Sequence, residues 1–182
     1  MKKISTLIVA LSFSLLSCSS DDGNSETDNP ENPNIPTFAM TASIGGTVFQ
    51  ANNPFGNNQF STTNIFNYYP IADFVLLQGR AGGVAGAKEI NLWLKRSDIA
   101  VGTYAIGSEN FDTPPSHFID LIDNTNEISE YTKEGIVTIT EVNTTTKIVK
   151  GTFEFKTVDQ INDPQASVDF HVTEGKFRYV YE

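Results

Sequence analysis

The chain is poor in the residues that most directly advertise chemistry. It has one cysteine, two histidines, two methionines and one tryptophan in 182 residues. A single cysteine excludes a disulfide framework and any cysteine-based zinc cluster. Two histidines, His117 and His171, leave little material for a transition-metal site, and no His/Cys/carboxylate spacing marks one. Basic residues are scarce as well: 12 Lys and Arg stand against 22 Asp and Glu, a formal net charge of -10. Nucleic acid, which needs a basic face for its phosphates, is therefore not an expected partner. No apolar run reaches the roughly 20 residues of a spanning helix. Amphipathic helical stripes are missing too, apart from a short turn suggested near Asn126 to Lys133, and this excludes parallel α/β architectures. There is no nucleophile elbow and no phosphate loop. Gly79, Gly82, Gly83 and Gly86 do not open a helix, so they make no dinucleotide fingerprint. No cofactor and no metal are expected, and nothing marks the chain as an enzyme.

What is present begins with an address. Lys2 and Lys3 precede an apolar stretch from Ile4 to Leu16, which is of signal-peptide length. It ends in Leu15-Leu16-Ser17-Cys18, which resembles a bacterial lipobox. That resemblance implies cleavage before Cys18 and diacylglycerol on its thiol, so the lone cysteine has a covalent task. Residues 19–37 are polar and acidic, with Ile35 as their one large apolar side chain; such a composition cannot bury enough surface to order itself. The expected layout is a signal peptide over 1–17, a lipidated cysteine and disordered acidic tether over 18–37, and one β domain over 38–182. Ser19-Ser20-Asp21-Asp22 resembles the acidic export signal behind the lipid-bearing cysteine of Bacteroidota surface lipoproteins. The implied location is the outer membrane, with the domain at the cell surface or, alternatively, on the periplasmic face. Loss of residues 1–17 removes Lys2 and Lys3, and setting aside the five tether acids leaves 17 acids against 10 bases in the domain.

The domain reads as strands. Phe38 to Ile44 and Thr47 to Ala51 flank Gly45-Gly46, a two-residue hairpin signal. Phe74 to Arg80 is apolar and β-branched, and Lys88 to Arg96 alternates Ile90, Leu92 and Leu94 with Asn91, Trp93 and Lys95. Ile136 to Val142 and Lys147 to Val158 flank Asn143-Thr144-Thr145-Thr146, a second hairpin. In the latter strand Val149, Phe153 and Phe155 face one way, while Lys150, Thr152, Glu154 and Lys156 face the other. Val168, Phe170 and Val172 alternate with polar neighbours, and Gly175 breaks the pattern before Phe177, Tyr179 and Tyr181. A period of two with one polar face is the mark of antiparallel sheet with a solvated side. The expected fold is all-β, an antiparallel β-sandwich or open β-barrel of about eight or nine strands.

Four stretches carry a family resemblance: Ala42 to Ala51 (ASIGGTVFQA), Val101-Gly102-Thr103-Tyr104, Lys150 to Phe155 (KGTFEF) and Val172 to Phe177 (VTEGKF). Together, from about residue 40 to 181, they resemble an uncharacterised family of Bacteroidota lipoproteins with a single all-β domain behind a lipobox. The resemblance implies fold and address and transfers no activity or site residues. The glycines in these motifs have structural work of their own, as hairpin turn at Gly45-Gly46 and as strand starts or bulges at Gly102 and Gly151.

Two segments hold candidate chemistry. Asp120, Asp123, Glu127, Glu130 and Glu134 invite comparison with a calcium loop, but counting from Asp123 puts Ile128 where the sharp turn needs glycine. A solvated loop or edge strand accounts for them, as a solvated surface position accounts for His171. The segment 49–70 interleaves Phe49, Phe55, Phe60, Phe66, Tyr68 and Tyr69 with six asparagines. Aromatic faces stack on sugar rings while amides bond hydroxyls, so Tyr68, Tyr69 and Asn67, together with Trp93, form a candidate ligand-binding surface. The competing account is a long connection whose aromatics cover one end of the fold and whose asparagines make turns. Three classes follow: a surface-anchored binding or accessory module for a glycan or outer-membrane protein partner, a lipocalin-like carrier of a small apolar ligand, and a hydrolase without residue-level support.

Overall fold

The computed structural model describes residues 37–52, 61–63, 68, 70–82, 87–108, 117–160, 163 and 165–181. Ten strands appear in chain order: β1 (Phe38–Ile44), β2 (Thr47–Asn52), β3 (Ser61–Thr62), β4 (Phe74–Arg80), β5 (Lys88–Lys95), β6 (Gly102–Ile106), β7 (His117–Asp123), β8 (Ile128–Asn143), β9 (Ile148–Val158) and β10 (His171–Val180). Two 3-10 turns, Ile71–Asp73 and Arg96–Asp98, are the helical content of the described residues. The all-β expectation holds.

Local chemistry closes the hairpins where the glycine and asparagine signals placed them. Gly45 and Gly46 both take positive φ, +55° and +83°, the geometry of a tight turn whose twist matches its strands. Between β8 and β9 the Asn143 side-chain oxygen accepts the backbone N–H groups of Thr145 and Thr146 at 3.0 and 2.9 Å. Between β7 and β8, Asp123 Oδ1 accepts the N–H groups of Thr125 and Asn126 at 3.1 and 3.3 Å, and Oδ2 accepts Asn126 Nδ2 at 2.8 Å. That turn is followed at once by β8, so the stretch from Asn126 to Lys133 is turn and strand rather than a helical turn.

The strands form one curled, essentially antiparallel sheet in the order β2-β1-β10-β9-β8-β7-β5-β4, with β6 on β8 and the two-residue β3 parallel to β10. It is a half-barrel, and β8 is its spine. The first residues of β8 pair with β7, whereas Tyr131 to Asn143 pair with β9. The ends of the strand path approach one another at a single bridge, Ala51 to Ala81, beside a hydrogen bond from the Gly82 N–H to the Gln50 carbonyl at 3.0 Å.

Curling is built into the register. On the inner face of β8, β9 and β10, Phe155 lies across from Gly135, Phe153 across from Gly175, and Phe177 across from Gly151. A Cβ at any of these glycines would collide with the facing phenylalanine. The Phe153 and Phe177 rings thus occupy the volume that Gly175 and Gly151 leave open, and Gly135 admits the close approach of the Phe155 backbone and Cβ, which lets the strands bend inward. Bulges at Thr132/Glu134 and Ile139/Glu141 in the β8–β9 pairing and at Val172/Gly175 in the β9–β10 pairing add to the bend. Glycine 175 therefore does not break the last strand: β10 runs through it, and Val168 to Phe170 lie before the strand begins.

The interior is filled by Met40, Leu77, Leu92, Ile139, Phe153 and Tyr179 among others, and the Tyr179 hydroxyl donates to the Gln78 carbonyl at 2.8 Å. A smaller second core lies apart from it: Phe74, Leu76, Trp93 and Phe118, with Ile71 packed against them. It belongs to β4, β5 and β7, strands buried on both faces. The sequence pattern did not single out β7.

Candidate functional site

Of the aromatic residues nominated for ligand stacking, Trp93 is placed most clearly. Alternation puts it opposite Leu92, but that side of β5 is covered: Trp93 is 8% exposed and its ring lies 5.8 Å from that of Phe118. Phe118 in turn meets Phe74 at 5.0 Å. Trp93 is thus corrected from an exposed position to a core one, because Phe74, Leu76 and Phe118 of the neighbouring strands, with Ile71, pack around it on the face that alternation reads as solvated. Phe49, from the aromatic-rich segment, is likewise core. Tyr68 is 57% exposed. Asn67, Tyr69 and Cys18 lie outside the described residues.

The two histidines have opposite fates. His117 is fully buried; its Nδ1 accepts the Lys95 N–H at 3.1 Å and its ring meets Tyr104 edge-on at 4.6 Å. His171 is exposed on β10. The acidic stretch is also dispersed. Asp123 is consumed by its turn and by Lys88 at 3.5 Å, and its carboxyl is held below the usual range chiefly by the Asn126 side chain. Glu134 pairs with Lys156 at 2.6 Å, and that bond keeps its carboxyl below the ordinary value. Glu130 is buried. Among the described residues no group of three His, Cys, Asp or Glu side chains is poised to hold a metal ion.

Among the described residues a concave surface lies on the outer face of β8, β9 and β10. Two adjoining depressions, of about 420 and 340 Å³, share Ile136 and Glu154. The first is walled by Glu134, Lys156, His171 and Thr173, the second by Thr138, Thr152, Glu174 and Lys176. These side chains reach one face because the period of two is kept along β9 and because the bulge at Val172/Gly175 sets both Thr173 and Glu174 against Glu154. Glu174 takes φ +56° there, an uncommon backbone state for a side-chain-bearing residue. Ile136, 41% exposed, is the apolar element between the depressions. Farther along, Lys150 pairs with Glu141 at 2.6 Å, and on β6 the Thr103 hydroxyl lies 3.0 Å from that of Thr138.

Hydroxyls and charges of both signs around one aliphatic side chain form a surface suited to hydrogen bonding and ion pairing with a polar partner. One sign of it is legible in the sequence: an apolar residue, Ile136, stands between the polar residues Glu134, Thr138 and Thr140 on one parity of the strand. Nothing in the sequence could place three strands side by side.

Comparison with known proteins adds one match. A family model described as Domain of unknown function (DUF6252) matches residues 47–180, which runs from β2 to the end of β10. No curated protein and no solved structure matches the chain.

Proposed function

The chain belongs to the family described as Domain of unknown function (DUF6252), and from that premise we propose that it is a Bacteroidota lipoprotein anchored in the outer membrane, whose β domain binds a ligand or partner at the cell surface. The observation that carries the reading is Leu15-Leu16-Ser17-Cys18 after a short basic and apolar leader and before a strongly acidic tether. Two or three acyl chains at Cys18 would hold it stably, since each buried CH₂ contributes about 0.8 kcal/mol and a single chain anchors only marginally. No helix among the described residues is long and apolar enough to cross a membrane.

Recognition of a glycan or an outer-membrane protein is the role that suits such a module. Two features support it: the exposed Tyr68, which Asn67 and Tyr69 flank in the sequence, and the polar face of β8, β9 and β10. The carrier reading is less well supported, because side chains such as Met40, Leu77 and Tyr179 occupy the inside of the curl. The hydrolase reading has no arrangement to rest on.

Cys18→Ala tests the anchor. The variant is expected to leave the membrane fraction, and the wild-type chain to carry the added mass of its lipid. Unchanged membrane retention together with a lipid-free wild-type mass would overturn it. A glycan array probed with the Cys18→Ala chain then tests the binding role, with Tyr68→Ala expected to weaken any signal.

A further inference from the structure

Among the described residues, Glu130 is the one buried carboxylate acted on by two further carboxylates. It stands on β8 opposite Leu121 of β7, is 5% exposed, and its Oε2 has no hydrogen-bond partner among the described residues. Across from it β9 ends, and the segment 165–170 folds back over that end. This segment is a strap with defined fastenings. The Thr157 N–H donates to the Phe170 carbonyl at 3.0 Å, the Asp169 N–H to the Thr157 carbonyl at 2.9 Å, and the Asp159 N–H to Asp169 Oδ2 at 2.8 Å. Lys133 Nζ reaches the Ala166 carbonyl at 2.8 Å. The strap seats Phe170 against the main core, near Gly45 and under the Lys88 ammonium at 5.3 Å.

The groups acting on Glu130 can be named element by element. From β9 comes the Thr157 hydroxyl, which favours the charged form, and from just past its end Asp159, which opposes it; from the strap comes Asp169, which opposes it too; the β7 residue paired with Glu130 is Leu121. Lys133, three residues on along β8, is engaged with the Ala166 carbonyl. Burial is the strongest influence and pushes the Glu130 carboxyl above the usual carboxylate range.

We propose that Glu130 is a proton-operated latch for the strap of residues 165–170. Carrying a proton, it sits under the strap without repelling Asp159 and Asp169, and Phe170 stays seated in the core. Ionised, it adds a third negative charge to that site in a poorly solvated position. The cheapest relief is for the strap to lift, which lets water reach the carboxylate and frees Phe170. Acidification therefore closes this end of the half-barrel and alkaline conditions loosen it, a sense opposite to ordinary acid unfolding.

Amide hydrogen exchange on the whole chain at a series of pH values, corrected for the intrinsic rates, reads the strap directly through the Thr157 and Asp169 N–H groups. Opening is expected to increase as the pH rises above the ordinary carboxylate range, by up to about tenfold for each tenfold difference in proton affinity between closed and open forms. Glu130→Gln should make the opening independent of pH over that window, and Asp169→Asn, which keeps an acceptor for the Asp159 N–H, should reduce the dependence. The proposal is overturned if Glu130→Gln keeps the wild-type pH response, if Asp169→Asn leaves that response untouched, or if the two amides exchange only with the most protected core amides.

Discussion

Strands β9 and β5 have similar alternating sequences and opposite surroundings. In β9, Phe153 is buried and Glu154 is exposed, and the same rhythm holds from Val149 to Phe155. In β5, Leu92 and Trp93 are both buried, along with Glu89 and Asn91. Alternation reports what a strand can do with two faces; it does not report whether a second layer covers the polar one. On β5 Glu89 is accommodated rather than solvated: it accepts Arg80 Nε at 2.8 Å and Gln78 Nε2 at 2.9 Å. Its Trp93 then supplies apolar area to the small core around Phe118.

Neighbouring substitutions can break this contrast. Phe153→Ala should cost about 3–5 kcal/mol and Trp93→Ala a similar amount, both measured by denaturant unfolding. The informative quantity is the difference along each strand. Leu92→Ala should fall in the same range as Trp93→Ala, whereas Glu154→Ala should change stability by less than about 0.5 kcal/mol. A Trp93→Ala domain with an unchanged thermal midpoint would return Trp93 to the surface and undo the comparison.

The curled region has its own weak point. Gly175→Ala places a methyl where the Phe153 ring lies and should destabilise by about 1–3 kcal/mol. Combined with Phe153→Ala the added cost should shrink without vanishing, since the ring clash is removed while the Phe153 carbonyl oxygen still crowds the methyl; strictly additive effects would contradict the packing described here.

A pH titration sharpens the contrast between turn and strap. The Asp123 carboxyl is held low by Asn126, so the stability it lends is complete above the range where an unfolded aspartate ionises, about pH 3.9. That stability is lost as the pH falls through its lower folded value. Asp123→Ala should cost about 1.5–3 kcal/mol at neutral pH, with the deficit narrowing in acid, as read from thermal midpoints across pH. Glu130 has the opposite sign: its folded value is raised, so its contribution deteriorates as the pH rises. Glu130→Gln should therefore gain on the wild type toward neutral pH, the smallest of these effects.

Much of the fold was legible. Gly45-Gly46 and Asn143 specify their turns through positive φ and a local side-chain bond, interactions that span only a few residues. Strand β4 occupies the span its apolar composition suggested, Phe74 to Arg80. The polar face of β9 could likewise be read from one strand alone. Strand β7 could not, because His117, Phe118, Ile119 and Leu121 are buried on both sides and give no alternation. Nor could the path of β10 through Gly175, where the bulge restores the inward phase and Phe153 lies over the glycine.

By itself, then, the sequence determined the class of fold, the turns at Gly45-Gly46 and Asn143, and the inward row of β9. Those features rest on contacts within a few residues or on a period of two. Tertiary structure alone decided that Trp93 is core, that Glu130 is buried among acids, and that Ile136 and Glu154 sit between two depressions. Each of these depends on which strand or layer arrives from far along the chain, and the free energy of burial is set by that neighbour rather than by the residue's own pattern.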